Sequence, residues 1–290
     1  MEIIRDIADL HRTTRAWRKA GETIAFVPTM GNLHPGHYAL VEQAHELGSK
    51  VVVSIFVNPA QFDRAADLEA YPRTLDADCA QLEQLKVDVV FVPTADDIYP
   101  TGFLRTRVEV PGISDVLEGE YRPGHFTGMA TIVCKLFNMV EPDVAVFGEK
   151  DFQQLMVVRQ MVQDLDMPVR IHGVHAVREA DGLARSSRNG YLTPEQRALA
   201  PRLHQTLLAT ATELKAVRLE PATLGALQQG MIQRLSEAGF RPEYLEIRRI
   251  QDLQPPETGD QELVILVSAW LGKARLIDNV QVFLATGEVI

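Results

Sequence analysis

The chain has 290 residues, of which 46% are hydrophobic and 23% charged, so it is long enough for two domains and has the composition of a globular protein. Its formal net charge of -10 argues against broad nucleic-acid binding, which requires a basic surface. Because it has two cysteines, no apolar run of membrane length and no signal-peptide layout at its start, we expect a cytoplasmic protein that binds no membrane.

Helices and strands alternate through the first half of the sequence. Apolar periodicity predicts, in chain order, a helix over residues 3–20, a strand over 23–27, a helix over 38–47, a strand over 51–57, a helix over 75–86, a strand over 87–92, a helix over 131–139, a strand over 144–147, a helix over 152–165 and a strand over 169–173. This alternation predicts an α/β fold with a Rossmann-like doubly wound parallel sheet. Residues 93–127 are rich in proline and glycine, and a loop of this length is a candidate lid or interface segment.

The pattern changes near residue 193, where a threonine followed by a proline starts a helix. The predicted elements beyond it are helices over residues 193–214 and 221–238 and strands over 244–248, 263–269 and 274–277. Helices followed by a run of strands indicate a smaller α+β domain. We therefore expect one domain over residues 1–177 and a second over residues 178–290.

The turn between the first predicted strand and the next helix contains His34, Gly36 and His37. A glycine-bearing turn at a helix N-terminus favours phosphates, because backbone N–H groups can approach them closely. Two imidazoles three residues apart can donate hydrogen bonds to the same phosphate, most strongly when protonated. The pattern predicts a phosphate clamp, with a solvated surface turn as the alternative. A zinc site is disfavoured because neither cysteine has metal-ligand spacing.

Polar residues also follow the strand at 51–57, at the edge where open parallel sheets bind ligands. Asn58 and Gln61 carry amides that suit a hydroxyl or carboxylate substrate, although such residues are also common turn formers. Asp78 and Gln81 lie one turn apart on the next predicted helix. They are candidates to face a magnesium ion, and a solvated helix start is the alternative.

Lys150 follows the strand at 144–147, again at the carboxyl end, where it can pair with a phosphate. Asp151 beside it can orient the lysine or accept a hydrogen bond from a ribose. Gln153 and Gln154 open the next helix, and because successive helical side chains point about 100° apart, only one need face the ligand.

The segment at 178–190 has glycine, serine, asparagine and arginine but no apolar period, which predicts a loop. Ser186, Ser187 and Arg188 provide two hydroxyls and a permanent cation, a combination suited to phosphate oxygens. A basic surface loop is the alternative interpretation.

Together these segments resemble the pantothenate synthetase (pantoate–β-alanine ligase) family of the nucleotidyltransferase superfamily, nearly from end to end. The similarity is carried by residues 27–37 (VPTMGNLHPGH), 56–62 (FVNPAQF), 71–74 (YPRT), 122–126 (RPGHF), 147–154 (FGEKDFQQ), 186–192 (SSRNGYL) and 269–272 (AWLG). The HxGH motif alone is shared with other nucleotidyltransferases and class I aminoacyl-tRNA synthetases. The GEKD and SSRNG segments in this order make the resemblance specific.

The resemblance implies an ATP-dependent ligase that condenses pantoate with β-alanine through a pantoyl adenylate and releases AMP and pyrophosphate. It also implies Mg²⁺, with unknown ligands, and a homodimer formed through the first domain, with the second as a lid. The implied catalytic residues are His34, His37 as proton donor, Lys150, Ser186, Ser187 and Arg188. The implied ATP-binding residues are Met30, Gly31, Asn32, Leu33, His34, Pro35, Gly36, His37, Gly148, Glu149, Lys150, Asp151, Val177 at the adenine, Arg185, Ser186, Ser187 and Arg188. The implied pantoate and β-alanine residues are Gln61, Gln154 and Asn58.

Three residues depart from the family's usual pattern. Pro35 stands where an acidic residue is common, and Ala60 replaces a common methionine of the pocket wall. Arg185 replaces an aliphatic residue, and it either strengthens ATP binding or faces solvent. Two alternatives remain on the same fold: a nucleotidyltransferase that stops after nucleotidyl transfer, and a non-catalytic nucleotide-binding protein.

Overall fold

The computed structural model describes residues 1–62, 65–102 and 105–290, and it divides into two compact units. The first unit consists of Met1–Glu149 and Gln153–Val174, and the second of Lys150–Phe152 and His175–Ile290. Across the described ranges, none of the helices is both long enough and apolar enough to span a membrane.

The first unit alternates strands and helices as predicted. Its elements are β1 (Glu2–Ile4), α1 (Ile7–Lys19), β2 (Ile24–Thr29), α2 (Pro35–Leu47), β3 (Lys50–Ile55), α3 (Ala65–Ala70), α4 (Leu75–Gln84), β4 (Val89–Phe91), α5 (Ala95–Ile98), α6 (Glu118–Tyr121), α7 (His125–Val140), β5 (Val144–Gly148), α8 (Phe152–Asp164) and β6 (Arg170–Val174). The six strands pair in parallel in the order β1-β4-β3-β2-β5-β6. The prediction of a doubly wound parallel sheet is confirmed.

Helices cover both faces of this sheet. On one face, α2 and α4 contribute Leu40, Val41, Ala44 and Leu82 to a core with the strand valines. On the other, Phe137 of α7 packs edge-on against Phe26 of β2 and Phe147 of β5, with ring centroids 6.3 and 6.4 Å apart. Because both faces are buried, the strands read as continuous apolar runs rather than as alternating ones.

The strand order reverses between β2 and β5. From β2 the chain proceeds outward to β3 and β4 on one side, and β5 and β6 then extend the sheet on the other side. Since the strands are parallel, the segments after Thr29 and after Gly148 leave the sheet at the same edge. In open α/β sheets this switch point is where ligands bind.

Several features of the first unit differ from the sequence prediction, among them α3 (Ala65–Ala70), which was not foreseen. Glu2–Ile4 was expected to begin a helix, but it pairs with Val89–Phe91 as an edge strand, and Asp6 caps the helix that follows. The segment 93–127 was expected to be a loop. Its described part contains α5, α6 and the start of α7, which begins at His125 rather than near residue 131 because Gly124 takes a left-handed conformation before it. Residues 103–104 lie outside the described ranges.

The second unit packs helices on an antiparallel sheet. Its elements are α9 (Pro194–Leu199), α10 (Arg202–Leu214), α11 (Pro221–Glu237), β7 (Arg241–Arg249), β8 (Glu262–Leu271), β9 (Ala274–Phe283) and β10 (Glu288–Val289), and the strand order is β10-β9-β8-β7. Leucines of α10 and α11 form a core with alternate residues of the strands. The α+β prediction is confirmed, although β10 was not foreseen. The single helix expected over 193–214 is two helices, because Pro201 has no N–H to continue the first one.

Candidate active site

The turn from β2 to α2 lies at the switch point and is held by the carboxylate of Asp78. The backbone N–H of Asn32 donates to Asp78 Oδ2 at 2.9 Å, and that of Leu33 donates to Oδ1 at 2.8 Å. Thr74 Oγ1 donates to Oδ2 at 3.0 Å. Gly31 has φ +77°, and a Cβ there would lie 3.1 Å from Asp78 Oδ2, so glycine lets the turn approach the carboxylate. Asp78 therefore fixes the turn from α4.

The rings of His34 and His37 lie close together at the start of α2, tilted by 45°. His34 is the N-cap residue, and its Nδ1 accepts the N–H of Gly36 at 3.2 Å. His37 Nδ1 accepts the N–H of His34 at 3.3 Å, and the two ring centroids are 4.1 Å apart. A neutral imidazole that accepts at Nδ1 carries its proton on Nε2. Each ring is thereby oriented with Nε2–H as its donor.

This arrangement corrects one detail of the predicted phosphate clamp. The N–H groups at the start of α2 donate inside the protein, that of Gly36 to His34 Nδ1 at 3.2 Å and those of His37 and Tyr38 to the carbonyl of His34 at 2.7 and 3.3 Å. The imidazoles are also not arranged for the protonated form, because a proton on Nδ1 would oppose the N–H group that it faces. Phosphate binding by the two rings stays a prediction. Gly36 remains necessary, since a Cβ there would lie 2.9 Å from His34 Cε1.

Asn58 fixes Gln61 beside this turn. The buried Asn58 side chain donates to Gln61 Oε1 at 3.1 Å and to the carbonyl of Gly128 at 3.2 Å, and its Oδ1 accepts the hydroxyl of Tyr99 at 2.6 Å. Gln61 Nε2 lies 3.0 Å from the sulfur of Met30. The structure thus brings the predicted substrate amide and the histidine turn together. Asn58 has its own hydrogen-bonding groups engaged within the protein.

Three residues that position this segment were not recognised in the sequence. Tyr99 anchors Asn58, and burial raises its pKa to about 12. His125 Nδ1 lies 2.8 Å from the carbonyl of Gln61. Gly128 lets α7 contact the Pro59–Gln61 turn directly, because a Cβ there would overlap the carbonyl oxygen of Ala60. The quoted RPGHF segment contained the signal for His125, but the contact partner lies 64 residues away.

The two glutamines at the start of α8 have different roles. Gln153 is buried, donates to the carbonyls of Ile113 and Val116 at 2.8 and 2.7 Å, and accepts the N–H of Glu118 at 3.0 Å. Gln154 is half-buried, and the described residues give its side chain no hydrogen-bond partner. Only one glutamine of the pair is therefore engaged in the fold, which leaves Gln154 as the candidate to meet a ligand.

Gly148 and Glu149 lie in the first unit, whereas the second unit contains the other predicted residues from Lys150 to Arg188 that are described next. Lys150 Nζ lies 3.8 Å from Asp151 Oδ1, and its side chain is largely buried. Ser186 Oγ accepts the N–H of Arg188 at 3.2 Å and begins a short 3-10 turn at Ser187–Tyr191. Arg185 pairs with Glu179 at 2.9 Å, with both side chains about one-third exposed.

The described residues do not form a metal site of their own. Within the ranges that the structure covers, no group of three or more His, Cys, Asp or Glu side chains is placed to hold an ion. Asp78, considered with Gln81 as a magnesium ligand, uses both carboxylate oxygens as acceptors for the turn and Thr74. The described part of the chain therefore shows Asp78 as an acceptor for the turn and supplies no cluster of three ligands for Mg²⁺.

Comparison with known proteins gives one consistent result. Residues 2–281 match the Pantoate-beta-alanine ligase family. The pantothenate synthetase of Thioalkalivibrio sulfidiphilus is 56% identical over 283 residues, which are 97% of this chain and 98% of that protein. The pantothenate synthetase of Idiomarina loihiensis is 53% identical over 97% of this chain and 98% of its own.

Solved structures agree over nearly the whole chain. A crystal structure of pantothenate synthetase from Thermus thermophilus superposes with a TM-score of 0.87 at 43% identity, covering 96% of this chain and 98% of that one. A pantoate-beta-alanine ligase from Francisella tularensis, complexed with beta-gamma ATP and beta-alanine, has a TM-score of 0.78 at 35% identity, with 99% of both chains covered.

Proposed function

The chain belongs to the pantoate–β-alanine ligase family, and from that membership we propose which of its residues bind each substrate and how they promote each step. It is an ATP-dependent ligase that joins pantoate to β-alanine. In the first step a pantoate carboxylate oxygen attacks the α-phosphorus of ATP, the bond to pyrophosphate breaks, and pantoyl adenylate forms. In the second, the β-alanine amine attacks the acyl carbon, AMP leaves with the bonding electron pair, and the nitrogen loses a proton.

His34 and His37 stabilise the first transition state as neutral donors. Negative charge accumulates on the phosphoryl oxygens and on departing pyrophosphate, and oriented donors that need no rearrangement are the main assistance a protein can give there. The observation that carries this proposal is the pair of Nδ1 atoms that accept backbone N–H groups, which places the proton of each neutral ring on Nε2. This replaces the stronger cationic donation that the sequence first suggested.

Gln61 and Gln154 hold the hydroxyl and carboxylate of pantoate. Gln61 is supported in this role by its contact with Met30 of the histidine turn and by the Asn58 side chain that fixes its orientation. Asn58 is a positioning residue in this scheme rather than a direct ligand, because its amide is already engaged. Gln153 anchors the 113–118 segment and has no substrate role.

Lys150, Ser186, Ser187 and Arg188 bind phosphate oxygens, and Val177 contacts the adenine. These roles are supported by the family resemblance and by side-chain chemistry, a cation and hydroxyls being suited to phosphate. The other predicted members of the ATP site remain proposals on the same grounds. For Arg185, the ion pair with Glu179 supports a role in shaping the loop.

Magnesium, dimer formation and location complete the proposal. Mg²⁺ in nucleotide sites is commonly held by substrate phosphates and water with few protein ligands, so we propose that it enters with ATP.

A homodimer formed through the first unit is proposed from the family resemblance, with sedimentation velocity as its test. A cytoplasmic location is proposed from composition, and Cys79 and Cys134 are both unpaired thiols.

Exchange and product analysis test the function directly. Pantoate alone should support exchange of labelled pyrophosphate into ATP, whereas free AMP should accumulate only when β-alanine is also present. A nucleotidyltransferase that stops after the first step would release a nucleotide-linked product and ignore β-alanine. Among variants, His37→Ala should lower turnover by orders of magnitude while His45→Ala, on the exposed part of the same helix, should retain it. Normal turnover in His37→Ala would refute the assigned role.

A further inference from the structure

Asp278 and Asn279 are adjacent polar residues near the middle of β9, between the apolar Ile277 and Val280. The residues of β9 that face the helices are Ala274, Leu276, Val280 and Val282, all in the core of the second unit. Asp278 lies in the same alternating register, and its side chain is only 2% exposed. A carboxylate there is not what a sheet core requires, because an apolar side chain of similar size would pack at no desolvation cost.

Asp278 is paired with Arg178 in a two-pronged ion pair. The guanidinium nitrogens lie 2.7 Å from Asp278 Oδ2 and 3.0 Å from Oδ1. The same guanidinium donates to the carbonyls of Gly182 and Asn279, each at 3.2 Å. Residues 177–185 form a hairpin that begins near Arg178 and bends at Gly182. The ion pair and these two hydrogen bonds therefore hold both the start and the bend of the hairpin next to Asp278.

The hairpin in turn holds the segment that carries Arg188. The N–H of Arg185 donates to the carbonyl of Val177 at 2.9 Å, which closes the hairpin. Asn189 Nδ2 donates to the carbonyl of Ala184 at 3.0 Å, and this bond ties the 3-10 turn at Ser187–Tyr191 back to the hairpin. A series of hydrogen bonds, joined by the backbone of the hairpin, thus connects Asp278 to Asn189, the residue next to Arg188.

Asn279 holds the segment that contains Lys150. Its Nδ2 donates to the backbone carbonyl of Lys150 at 2.9 Å, although the two residues are 129 apart in the sequence. The Lys150–Phe152 segment belongs to the same compact unit as β9. Because successive strand residues point to opposite faces, one dipeptide holds Lys150 from one face and the Arg178 hairpin from the other.

We propose that Asp278 and Asn279 are positioning residues that set the spacing between the phosphate-binding cations Lys150 and Arg188. This inference rests on the proposed function of those two cations. Lys150 and Arg188 lie in short 3-10 turns, Glu149–Asp151 and Ser187–Tyr191, outside the α-helices and β-strands, so contacts from other elements help to fix their positions. In-line phosphoryl transfer requires that phosphate-binding cations be held in fixed positions, because a displacement of a binding group by about 1 Å can lower the rate about 100-fold. Contacts of both segments with the same strand meet this requirement.

The first test removes the Asn279 donor and measures pantoate-dependent exchange of pyrophosphate into ATP. Asn279→Ala should lower kcat for exchange by about 10- to 100-fold and raise the KM for ATP, with the KM for β-alanine unchanged. Gln228→Ala is the control, because Gln228 is another amide of this unit that donates to a backbone carbonyl, that of Leu245 at 3.4 Å, although it is half-buried where Asn279 is buried. Equal effects of the two substitutions would overturn the inference. If Asn279→Ala does not fold, the isosteric Asn279→Asp replaces it.

A double-mutant cycle separates positioning from general stabilisation. If Asn279 acts through the Lys150 side chain, the exchange rate of Asn279→Ala combined with Lys150→Ala should equal that of Lys150→Ala alone. Effects that multiply would show that Asn279 is merely structural and overturn the inference. Normal exchange in Lys150→Ala would refute the proposed function of Lys150 itself, and the positioning role with it. Impaired Lys150→Ala beside unimpaired Asn279→Ala would refute the positioning role alone.

The second arm uses Arg178→Lys, which keeps the charge opposite Asp278 but loses the fork that reaches Gly182 and Asn279. We expect a similar fall in exchange that disappears in the Arg188→Ala background. The control is Arg249→Lys, which weakens another two-pronged pair of the same unit, that with Asp252 at 3.0 and 2.7 Å. Persistence of the Arg178→Lys defect in the Arg188→Ala background would contradict the proposed path.

Discussion

The carboxylate of Asp78 accepts the backbone N–H of Leu33 at 2.8 Å, across 45 residues of sequence. With the parallel bond from Asn32, this contact determines where the histidine turn leaves the sheet. The position of the histidine turn therefore depends on α4 as much as on the strand that precedes the turn.

Asp78→Asn should weaken both the fold and the reaction. The amide presents an NH₂ group to one of the two backbone N–H donors, so at least one buried bond is lost, at a cost of about 1–3 kcal/mol in the free energy of unfolding. Urea denaturation and turnover check this. Asp76→Asn, an exposed residue in the first turn of the same helix, is the control and should change neither.

Replacing His37 by Asn or by Gln should distinguish the role of its Nδ1 atom from that of its Nε2 atom. Asn places an acceptor near the Nδ1 position and preserves the bond from the His34 N–H, whereas Gln can reach the Nε2 position as a donor. We expect His37→Asn to lose about 100- to 1000-fold in kcat, as when one transition-state donor is removed, and His37→Gln to retain more activity. Thermal unfolding should show the reverse order. Equal kcat values would contradict a donor role for Nε2.

Gly128→Ala should displace the Pro59–Gln61 turn, which carries the proposed pantoate ligand Gln61. The added methyl group would overlap the carbonyl oxygen of Ala60, and this backbone conflict should cost about 1–3 kcal/mol in stability and raise the KM for pantoate. Gly225→Ala tests the same exchange within α11, where the Cβ meets nothing within 4 Å. It should stabilise the protein by about 0.5–1 kcal/mol and leave the KM unchanged.

Tyr99→Phe should alter the alkaline limit of stability. Burial raises the pKa of Tyr99 to about 12, above the value of 10.0 for an unperturbed phenol. Deprotonation therefore favours the unfolded chain between those values, and this residue's contribution to stability is lost as pH rises through that window. Unfolding free energies at pH 9 and 11 should fall less in Tyr99→Phe than in the unaltered protein. At neutral pH the variant should lose about 1 kcal/mol through the missing bond to Asn58.

His204→Gln should make stability less sensitive to acid. Burial first, and then the charge of Arg178, lowers the pKa of His204, while Asp278 opposes the shift. Since the folded state resists protonation, the unfolded chain takes up the proton as pH falls below the ordinary value of 6.5, and stability declines. Urea unfolding at pH 7.5 and 5.5 should show a smaller decline in the variant. An identical decline would contradict the assignment.

Short-range patterns of apolar and turn-forming residues were sufficient to predict most of the helices and strands. Apolar runs bounded by turns located β2 to β6, because both faces of a parallel sheet are buried. They did not identify β1, whose three residues become a strand only by pairing with Val89–Phe91. They also joined α9 to α10, since helical periodicity on both sides outweighed Pro201 in the prediction.

By itself, the sequence determined the family and the parallel sheet, because these depend on residue type and short spacing, and on the same basis it proposes the residues that carry the chemistry. Only the tertiary structure decided how those residues are held. That His34 and His37 are oriented through Nδ1, that Asn58 serves Gln61, and that β9 anchors Lys150 all depend on contacts made after the chain has folded. Hydrogen-bond partners up to 129 residues apart leave no periodic trace in the sequence, because their geometry exists only once the strands have paired.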